Sequence, residues 1–195
     1  MPINTTRILT PLFEELRGER VLVRPYREDD AAALYEAVAE SREHIRPWLP
    51  FADEHQTVEE SLAVIRHFIS NWLVREEMTV ALFDAQTGQY AGGSGLHPRN
   101  WEIGFFEIGY WVRKSAEGKG YISEAVKLLT DYAFASLQAN RVMIRCDARN
   151  NRSAAVPRRL GFVEEALLRN DSIATDGTIR STLVFSLTPD DPRWP

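Results

Sequence analysis

The clearest hydrophobic pattern in the chain is the helical spacing of apolar residues in two long segments. In the first, apolar side chains stand at Val58, Leu62, Ile65, Ile69 and Trp72, and the segment opens with Thr57-Val58-Glu59-Glu60, typical of a capping box. In the second, residues 121–137, the apolar stripe comprises Ala125, Leu128, Leu129, Tyr132 and Ala133. Both segments are predicted to be helices that bury one face. Shorter helices are predicted over residues 31–40 and 153–160, the latter ending at Gly161.

Seven segments rich in β-branched and aromatic residues predict strands. They span residues 21–24, 78–83, 90–97, 101–112, 142–147, 162–169 and 178–187. The order of the elements is strand, two helices, three strands, helix, strand, helix and two strands, which is a mixed α/β pattern. We expect a single domain over residues 1–195. Within it, residues 1–18 are expected to form an arm or short helix that packs on the domain or on a partner, and residues 188–195 a loose tail.

The composition excludes several classes of protein. A formal net charge of −5 argues against a general nucleic-acid binder, which would carry a basic face. No segment approaches about 18 uninterrupted apolar residues, so no membrane span is expected. The N-terminus lacks a long apolar segment after its basic residues, so no signal peptide is expected. Cys146 is the sole cysteine, which rules out a disulfide within the chain and favours a cytoplasmic location. It lies in an apolar run, where a small buried residue is a more natural interpretation than a nucleophile.

A glycine-spaced turn between a predicted strand and a predicted helix carries the strongest chemical signal. Residues 117–123 read Glu-Gly-Lys-Gly-Tyr-Ile-Ser, and Gly118 and Gly120 have no side chain to shield their amides. Several backbone N–H groups can therefore converge on one anion at the positive end of the helix dipole. The turn matches neither a Walker loop nor a dinucleotide-binding fingerprint. With Arg113 and Lys114 close by, it predicts a site for the diphosphate of a phosphorylated cofactor.

A second motif, Asn150-Asn151-Arg152-Ser153 followed by Gly161-Phe162, completes a recognisable set. Its further members are Leu22-Val23-Arg24-Pro25, Asp29-Asp30, Ser41, Pro47-Trp48-Leu49-Pro50, Glu107-Ile108-Gly109-Tyr110-Trp111, Glu124-Ala125 and Ala133-Phe134. Over roughly residues 20–188, the chain thereby resembles the GNAT superfamily of acetyl-CoA-dependent N-acetyltransferases. More narrowly, it resembles the RimL/RimJ-type group, which acetylates protein N-termini. The resemblance implies a mostly antiparallel, twisted sheet of about seven strands with flanking helices.

The resemblance also assigns contacts to the cofactor. Acetyl-CoA is the implied acetyl donor, and its diphosphate is expected on Gly118, Lys119, Gly120, Tyr121, Ile122 and Ser123. The backbone of Trp111 and Val112 is expected to pair with the pantetheine amides, in a gap between the fourth and fifth predicted strands. Asn150 is expected to hydrogen-bond the pantetheine arm, with a turn or helix cap as its structural alternative.

Direct attack of an amine on a thioester calls for a base and an acid. Glu107 stands where many GNAT enzymes carry a general base, although a salt bridge or a place on the wetter face of its strand would also explain it. Ser153 matches the family position that can protonate the departing sulfur, and it is equally a favoured helix N-cap. Trp48 and Phe51 are assigned to the wall of the acceptor pocket, with core packing as the alternative for Trp48.

The chain departs from the family pattern in its glycine loop and in two later elements. The loop begins with Glu117, where the family usually has Gln or Arg, and it has Ile122 in place of Gly or Ala. The Glu117 side chain is expected to point away into solvent. Ser181 follows Arg180 where the group often has Asp, and Pro157 lies within the predicted short helix. The four histidines (His44, His55, His67 and His97) show no metal-binding spacing, so no metal is expected.

The predicted function is a direct acetyl transfer from acetyl-CoA to a primary amine, preferably a protein N-terminus such as that of a ribosomal protein. One alternative is a small-molecule amine acceptor, such as a polyamine, an aminated antibiotic or an amino-acid conjugate. The other is a non-catalytic acyl-CoA-binding sensor. Because pocket loops rather than the fold set specificity, the sequence leaves the acceptor open. A homodimer is compatible with the family and with the unassigned N-terminal arm.

Overall fold

Eight strands form one sheet in the computed structural model, which describes residues 5–192 and 194. Residues 1–4 of the predicted arm and residues 193 and 195 of the predicted tail lie outside it. In chain order the strands are β1 (Leu16–Arg17), β2 (Val21–Pro25), β3 (Met78–Asp84), β4 (Tyr90–Asn100), β5 (Phe105–Val112), β6 (Arg141–Asp147), β7 (Val163–Ile173) and β8 (Ile179–Leu187). The sheet order is β1-β2-β3-β4-β5-β6-β8-β7, and every neighbouring pair is antiparallel except β5 and β6. The predicted mixed α/β fold with a mostly antiparallel sheet is confirmed, with β1 as one strand more than predicted.

Five helices accompany the sheet in the described residues. They are α1 (Thr5–Leu9), α2 (Ala31–Ile45), α3 (Val58–Val74), α4 (Tyr121–Leu137) and α5 (Asn151–Arg159). Thr57 caps α3 as predicted, because its hydroxyl accepts the Glu60 amide at 3.1 Å. Helix α2 ends at Ile45 rather than at residue 40, because Ser41 and Ile45 continue its buried face. Among the described residues, we find no helix with an apolar stretch of the length that a bilayer span requires.

The helices cover both faces of the sheet, and the alternation of β5 distributes its side chains between them. Phe106 and Ile108 are buried in a core that includes α4. Trp111 packs on the other face, in a core that includes α2 and α3. Because side chains alternate along a strand, Glu107 is on the same face as Trp111. Strand β5 therefore runs between two packed layers.

Two segments differ from their predicted strands because side-chain hydrogen bonds and bulges interrupt the ladder. Residues 101–104 form a turn, in which the Asn100 side chain accepts the amides of Glu102 at 2.9 Å and Ile103 at 3.2 Å. The prediction that β5 starts at residue 101 is therefore wrong. Strand β7 continues to Ile173, past the predicted residue 169, because a bulge around Asn170 (φ 52°) lets pairing resume at Ser172.

The N-terminal segment packs on the domain itself. Strand β1 pairs with β2, and the Phe13 ring lies edge-on to Trp72 with their centroids 5.3 Å apart. This segment therefore gives no support to the homodimer, which stays a prediction. In the predicted tail, the Trp194 ring lies edge-on to Phe134 and Phe162, at 6.4 and 6.2 Å. This residue of the tail is thus packed against α4 and the segment after α5.

Glu124, in the first turn of α4, ties this helix to the turn between β1 and β2. Its carboxylate accepts three successive backbone amides, those of Glu19 (3.0 Å), Arg20 (2.8 Å) and Val21 (2.9 Å). Gly18 permits this close approach, because a Cβ atom there would lie 2.6 Å from Cδ of Glu124. The start of α4, and with it the glycine turn in front of it, is thereby held against the sheet.

The Glu124→Ala variant is expected to lose about 2 kcal/mol of unfolding free energy, because three amide donors lose a charged acceptor. Chemical denaturation at neutral pH measures the loss. The control Glu36→Ala makes the same change at an exposed position of α2, and it should stay within about 0.5 kcal/mol of the wild type. A Glu124→Ala protein as stable as this control would contradict the anchoring role.

Candidate active site

Strands β5 and β6 separate after a short paired region. They pair at only three positions: Phe105 with Arg141, Phe106 with Val142, and Glu107 with Met143. Beyond these positions, β5 is bonded on its far side to β4, and β6 on its far side to β8. No strand fills the space between the two facing edges in the described part of the protein, and a cavity of about 780 Å³ opens there.

The glycine turn forms a nest of amides beside this cavity, which Glu117 and Ile122 line. Gly118 and Gly120 both have left-handed backbone conformations, with φ values of 74° and 84°. The consecutive amides of residues 118–123 have no hydrogen-bond acceptor among the described residues. The next amide, that of Glu124, bonds to the Gly120 carbonyl at 3.1 Å. Such a run of unpaired donors at a helix N-terminus is suited to bind an anion.

The Tyr121 side chain anchors the nest to the turn between β3 and β4. Its hydroxyl donates a short hydrogen bond to the Asp84 carboxylate, which also accepts the amides of Gln86 and Thr87 at 2.8 Å each. The bond to Asp84 raises the pKa of Tyr121 to about 12 and holds the pKa of Asp84 well below its usual range. The side chain of Tyr121 is therefore structural, and its backbone amide stays free.

The end of α2 holds the segment that leads into the nest. Glu40 accepts the Arg113 guanidinium at 2.6 Å, and the Ser41 hydroxyl accepts the Lys114 amide at 2.9 Å. Arg113, which the sequence suggested for further phosphates, is thus already paired. Lys119 is exposed, and it makes no ion pair with any residue that the structure describes. It is therefore a cation available on the nest itself.

The expectation that Glu117 points into solvent is wrong. Its Oε1 lies 2.9 Å from Nε2 of His44 and 2.8 Å from Nη1 of Arg152, and its Oε2 lies 2.8 Å from Nζ of Lys114. The hydrogen bond from Lys114 is the main cause that holds the pKa of Glu117 below its ordinary value, whereas burial lowers the pKa of His44. Glu117 is drawn away from solvent because α2 is longer than predicted, and its last turn brings His44 to the loop.

Asn150 is the N-cap of α5. Its Oδ1 accepts the Ser153 amide at 3.0 Å, so the capping role considered for Ser153 belongs to Asn150. Ser153 lies in the first turn of the helix instead. Both residues line the cavity. The Asn150 side-chain amide nitrogen has no partner within the described residues, so it remains available to a ligand.

The Tyr110 hydroxyl forms a hydrogen bond with the helix carbonyl of Ser153, which Pro157 leaves without its usual partner. In α5, the amide of residue 157 would bond the Ser153 carbonyl, but proline has no N–H. The Tyr110 hydroxyl donates to this carbonyl at 2.8 Å, and Ser153 Oγ donates to the Tyr110 oxygen at 3.3 Å. Burial raises the pKa of the Tyr110 hydroxyl and of the nearby Cys146 thiol, and both residues line the cavity. A raised thiol pKa is in line with the inert role predicted for Cys146.

Glu107 lies at the base of the gap, in the last residue pair that joins β5 and β6. It is 9% exposed and lines the cavity. Its Oε2 accepts Nε of Arg99 at 2.8 Å, and its Oε1 accepts Nε of Arg145 at 3.2 Å. The salt bridge predicted as an alternative explanation for Glu107 is therefore present. Each carboxylate oxygen still has a second lone pair, so the ion pairs and a role as proton acceptor are compatible.

The two residues assigned to the acceptor pocket lie in different places. Trp48 and the neighbouring Leu49 line the cavity, in the segment that follows α2. Phe51 is not among the lining residues. Its ring packs 5.7 Å from Trp111 and 5.9 Å from His55, within the core on the α2 and α3 side. The structure thus brings Trp48, but not Phe51, to the cavity wall.

Another part of the cavity wall carries charged groups from β6 and β8 that sequence reasoning missed. The Asp147 side chain is 2% exposed and pairs with Arg149 at 2.7 Å, which holds the pKa of Asp147 below its usual value. Nη1 of Arg180 lies 3.9 Å from Asp147, whereas its Nε is buried without a hydrogen-bond partner among the described residues. The residues that the structure describes contain no group of three His, Cys, Asp or Glu side chains that could hold a metal ion.

Comparison with known proteins identifies the family. A family described as "Acetyltransferase (GNAT) domain" matches residues 20–163. YdaF of Bacillus subtilis (strain 168), provisionally named a ribosomal N-acetyltransferase, is 32% identical over 87% of this chain and 92% of its own length. The ribosomal protein uS5-alanine N-acetyltransferase of Escherichia coli (strain K12) is 27% identical over 90% and 91%. The solved structure of RimL, the ribosomal L7/L12 alpha-N-protein acetyltransferase in complex with coenzyme A, superposes with a TM-score of 0.83 at 21% identity, covering 91% of this chain and 99% of that one. This chain belongs to the GNAT family of acetyltransferases.

Proposed function

We propose that this protein transfers the acetyl group of acetyl-CoA to a primary amine, and that the amine is the N-terminus of a protein. The observation that carries the proposal is the combination of unpaired amides at residues 118–123 with the open edges of β5 and β6 beside them. Coenzyme A has a diphosphate that suits the first feature and amide groups that suit the second. When bound, acetyl-CoA supplies an acetyl group that is already activated as a thioester.

In this proposal the chain holds the cofactor mainly with its backbone. The six amides of the nest, those of Gly118, Lys119, Gly120, Tyr121, Ile122 and Ser123, bind the diphosphate. The open edge of β5 at Trp111 and Val112 pairs with the pantetheine amides as an added strand would. Asn150 donates to the pantetheine arm from its side-chain nitrogen, while its oxygen caps α5. Because most of these contacts are made by main-chain atoms, the departure at Ile122 leaves them in place.

Glu107 accepts a proton from the attacking amine, directly or through a water molecule. An N-terminal amine has an ordinary pKa of about 7.7–8.0, against about 10.4 for a lysine, so at neutral pH it needs less help. Ser153 Oγ turns its hydrogen from the Tyr110 oxygen to the departing sulfur and protonates it. An ordinary thiol pKa of about 8.5 makes this second proton transfer the less demanding of the two.

Two observations favour a peptide acceptor over a simple amine. The relatives from Bacillus subtilis and Escherichia coli carry names that refer to ribosomal proteins. In addition, Arg180 lines the cavity, and its guanidinium can donate to the carbonyl oxygen that a peptide has close to its terminal amine and that a polyamine lacks. A ribosomal-protein acceptor also implies a cytoplasmic enzyme.

The Arg180→Met variant is expected to lower kcat/KM about 30-fold for peptides that begin with Ser or Ala, because one charge-assisted hydrogen bond is lost. For n-butylamine, which has no carbonyl, the change should stay below about threefold. The rate of thiol release measures both reactions. Arg169→Met, at an exposed position of β7, is the matched control and should leave both acceptors unaffected.

Thiol release and thermal unfolding in the presence of CoA distinguish the three proposed functions for the wild-type protein. Thiol release with polyamines but not with peptides would contradict the N-terminal acceptor and favour a small-molecule amine. Thermal stabilisation by CoA without thiol release on any amine would contradict the enzymatic proposal and favour the sensor. Equal loss on peptide and n-butylamine in Arg180→Met would contradict the specific role of Arg180.

A further inference from the structure

Glu117 places a negative charge at the entrance of the nest. It directly precedes Gly118, and its carboxylate joins three elements of the fold. It contacts Lys114 in the turn before the nest (2.8 Å), His44 in the last turn of α2 (2.9 Å) and Arg152 in the first turn of α5 (2.8 Å). Its side chain is 25% exposed, whereas those of Lys114 and Arg152 are 50% and 75% exposed, so the carboxylate is better shielded from water than the two cations that it holds.

These contacts neutralise cations on the segments that flank the nest. Lys114 and Arg152 carry permanent charges, and each donates a hydrogen bond to Glu117, so a phosphate competes with this carboxylate for both cations. Arg113 is bonded to Glu40 in the same way. A diphosphate that enters the nest therefore meets the unpaired Lys119, a carboxylate of its own sign and three cations that are already paired.

We propose that Glu117 determines the affinity of the cofactor site, as a built-in counter-anion that holds Lys114 and Arg152 until the diphosphate replaces it. The inference rests on the proposed function, since it requires a diphosphate in the nest. Repulsion between like charges is screened less in a partly buried site than on an open surface. Glu117 thus weakens the binding of acetyl-CoA and of the product CoA alike, which favours product release. The Gln or Arg that the family usually has at this position would lack the negative charge.

Glu117→Gln, which keeps the size of the side chain and removes its charge, tests the proposal by isothermal titration calorimetry. The Kd for CoA is expected to fall about tenfold, equivalent to about 1.4 kcal/mol. Pantetheine, which has no diphosphate, should bind the variant and the wild type equally. In about 0.5 M salt the difference for CoA should shrink, because the Debye length is then only a few ångströms.

A matched control and a double variant separate the release of cations from a general change of charge. Glu43→Gln removes the same charge from an exposed position on α2, and it should leave the Kd for CoA within about twofold of the wild type. In Glu117→Gln/Arg152→Gln the freed guanidinium is gone while Lys114 stays free, so part of the gain should disappear. Thermal unfolding without ligand checks that each variant is folded.

The outcomes distinguish this inference from the function on which it rests. A Kd for CoA in Glu117→Gln that equals or exceeds the wild-type value would overturn the role of Glu117 while leaving the cofactor site in place. An equal gain for pantetheine would overturn it too, because the effect would then be independent of phosphate. A wild-type protein that binds no CoA would refute the proposed function and this inference together.

Discussion

Replacing Gly118 and Gly120 together by alanine is expected to weaken the binding of CoA about 100-fold, because each alanine adopts a positive φ at a cost of about 1–2 kcal/mol. The two φ values are 74° and 84°. Space is not the obstacle: a Cβ atom at Gly118 would have no neighbour within 4 Å, and one at Gly120 would lie 3.5 Å from the nearest atom. The variant loop is therefore free to relax to negative φ, which turns the amides away from their common centre.

Gly177→Ala is the control for this prediction. This glycine also has a positive φ, 81°, and open space around a Cβ atom, but it lies in the β7–β8 turn, away from the β3–β4 turn that anchors the nest. The control should lose stability and still bind CoA like the wild type, as measured by isothermal titration calorimetry. If the nest variant bound CoA as tightly as the control, the diphosphate site on which the proposed function depends would be wrong.

Glu107→Gln is expected to lower kcat for peptide acceptors by about 100-fold or more, within the range of about 10²–10⁴ that a general base contributes. Glutamine retains the shape of the side chain between Arg99 and Arg145 and one oxygen acceptor, but it cannot take up the proton of the amine. The KM for acetyl-CoA should change little, because the nest is untouched. Steady-state thiol release over a range of pH measures both constants.

Two further variants separate catalysis by Glu107 from its structural ion pairs. Arg99→Gln removes one ion-pair partner and leaves the carboxylate, so it should impair kcat far less than Glu107→Gln does. Ser153→Ala should lower kcat by less than about tenfold, because a thiol with an ordinary pKa of about 8.5 departs readily. If Glu107→Gln has the same pH–rate profile as the wild type, the assignment of a base is wrong and the salt bridges are its whole role.

Most of the fold could be predicted because its signals are local. The bounds of α4 and the capped start of α3 follow from apolar side chains that repeat with the helical period and from one threonine in front of them. The errors fall where a single polar contact outweighs propensity. The Asn100 side chain turns the chain at residues 101–104, and β1, only two residues long, precedes a turn that is held by the distant Glu124.

The candidate site could be predicted only in part. The spacing of Gly118 and Gly120 predicted the nest, and the motif around Asn150 brought that residue and Ser153 to the cavity. That Asn150 rather than Ser153 is the cap of α5 depends on which side chain reaches the Ser153 amide. The bonding of Glu117 depends on the extra turn of α2 that carries His44. Arg180 showed no signal in the sequence beyond the unusual residue that follows it.

By itself, the sequence determined the main-chain features of the proposed cofactor site. A glycine turn, a helix start and a strand in front of them are properties of a few consecutive residues, whose conformational preferences act without the rest of the chain. Only the tertiary structure decided which side chains share the cavity. Glu107 and Arg145 are 38 positions apart, and Tyr110 and Ser153 are 43 apart, so these contacts exist only because β5 and β6 separate and α5 packs beside the gap.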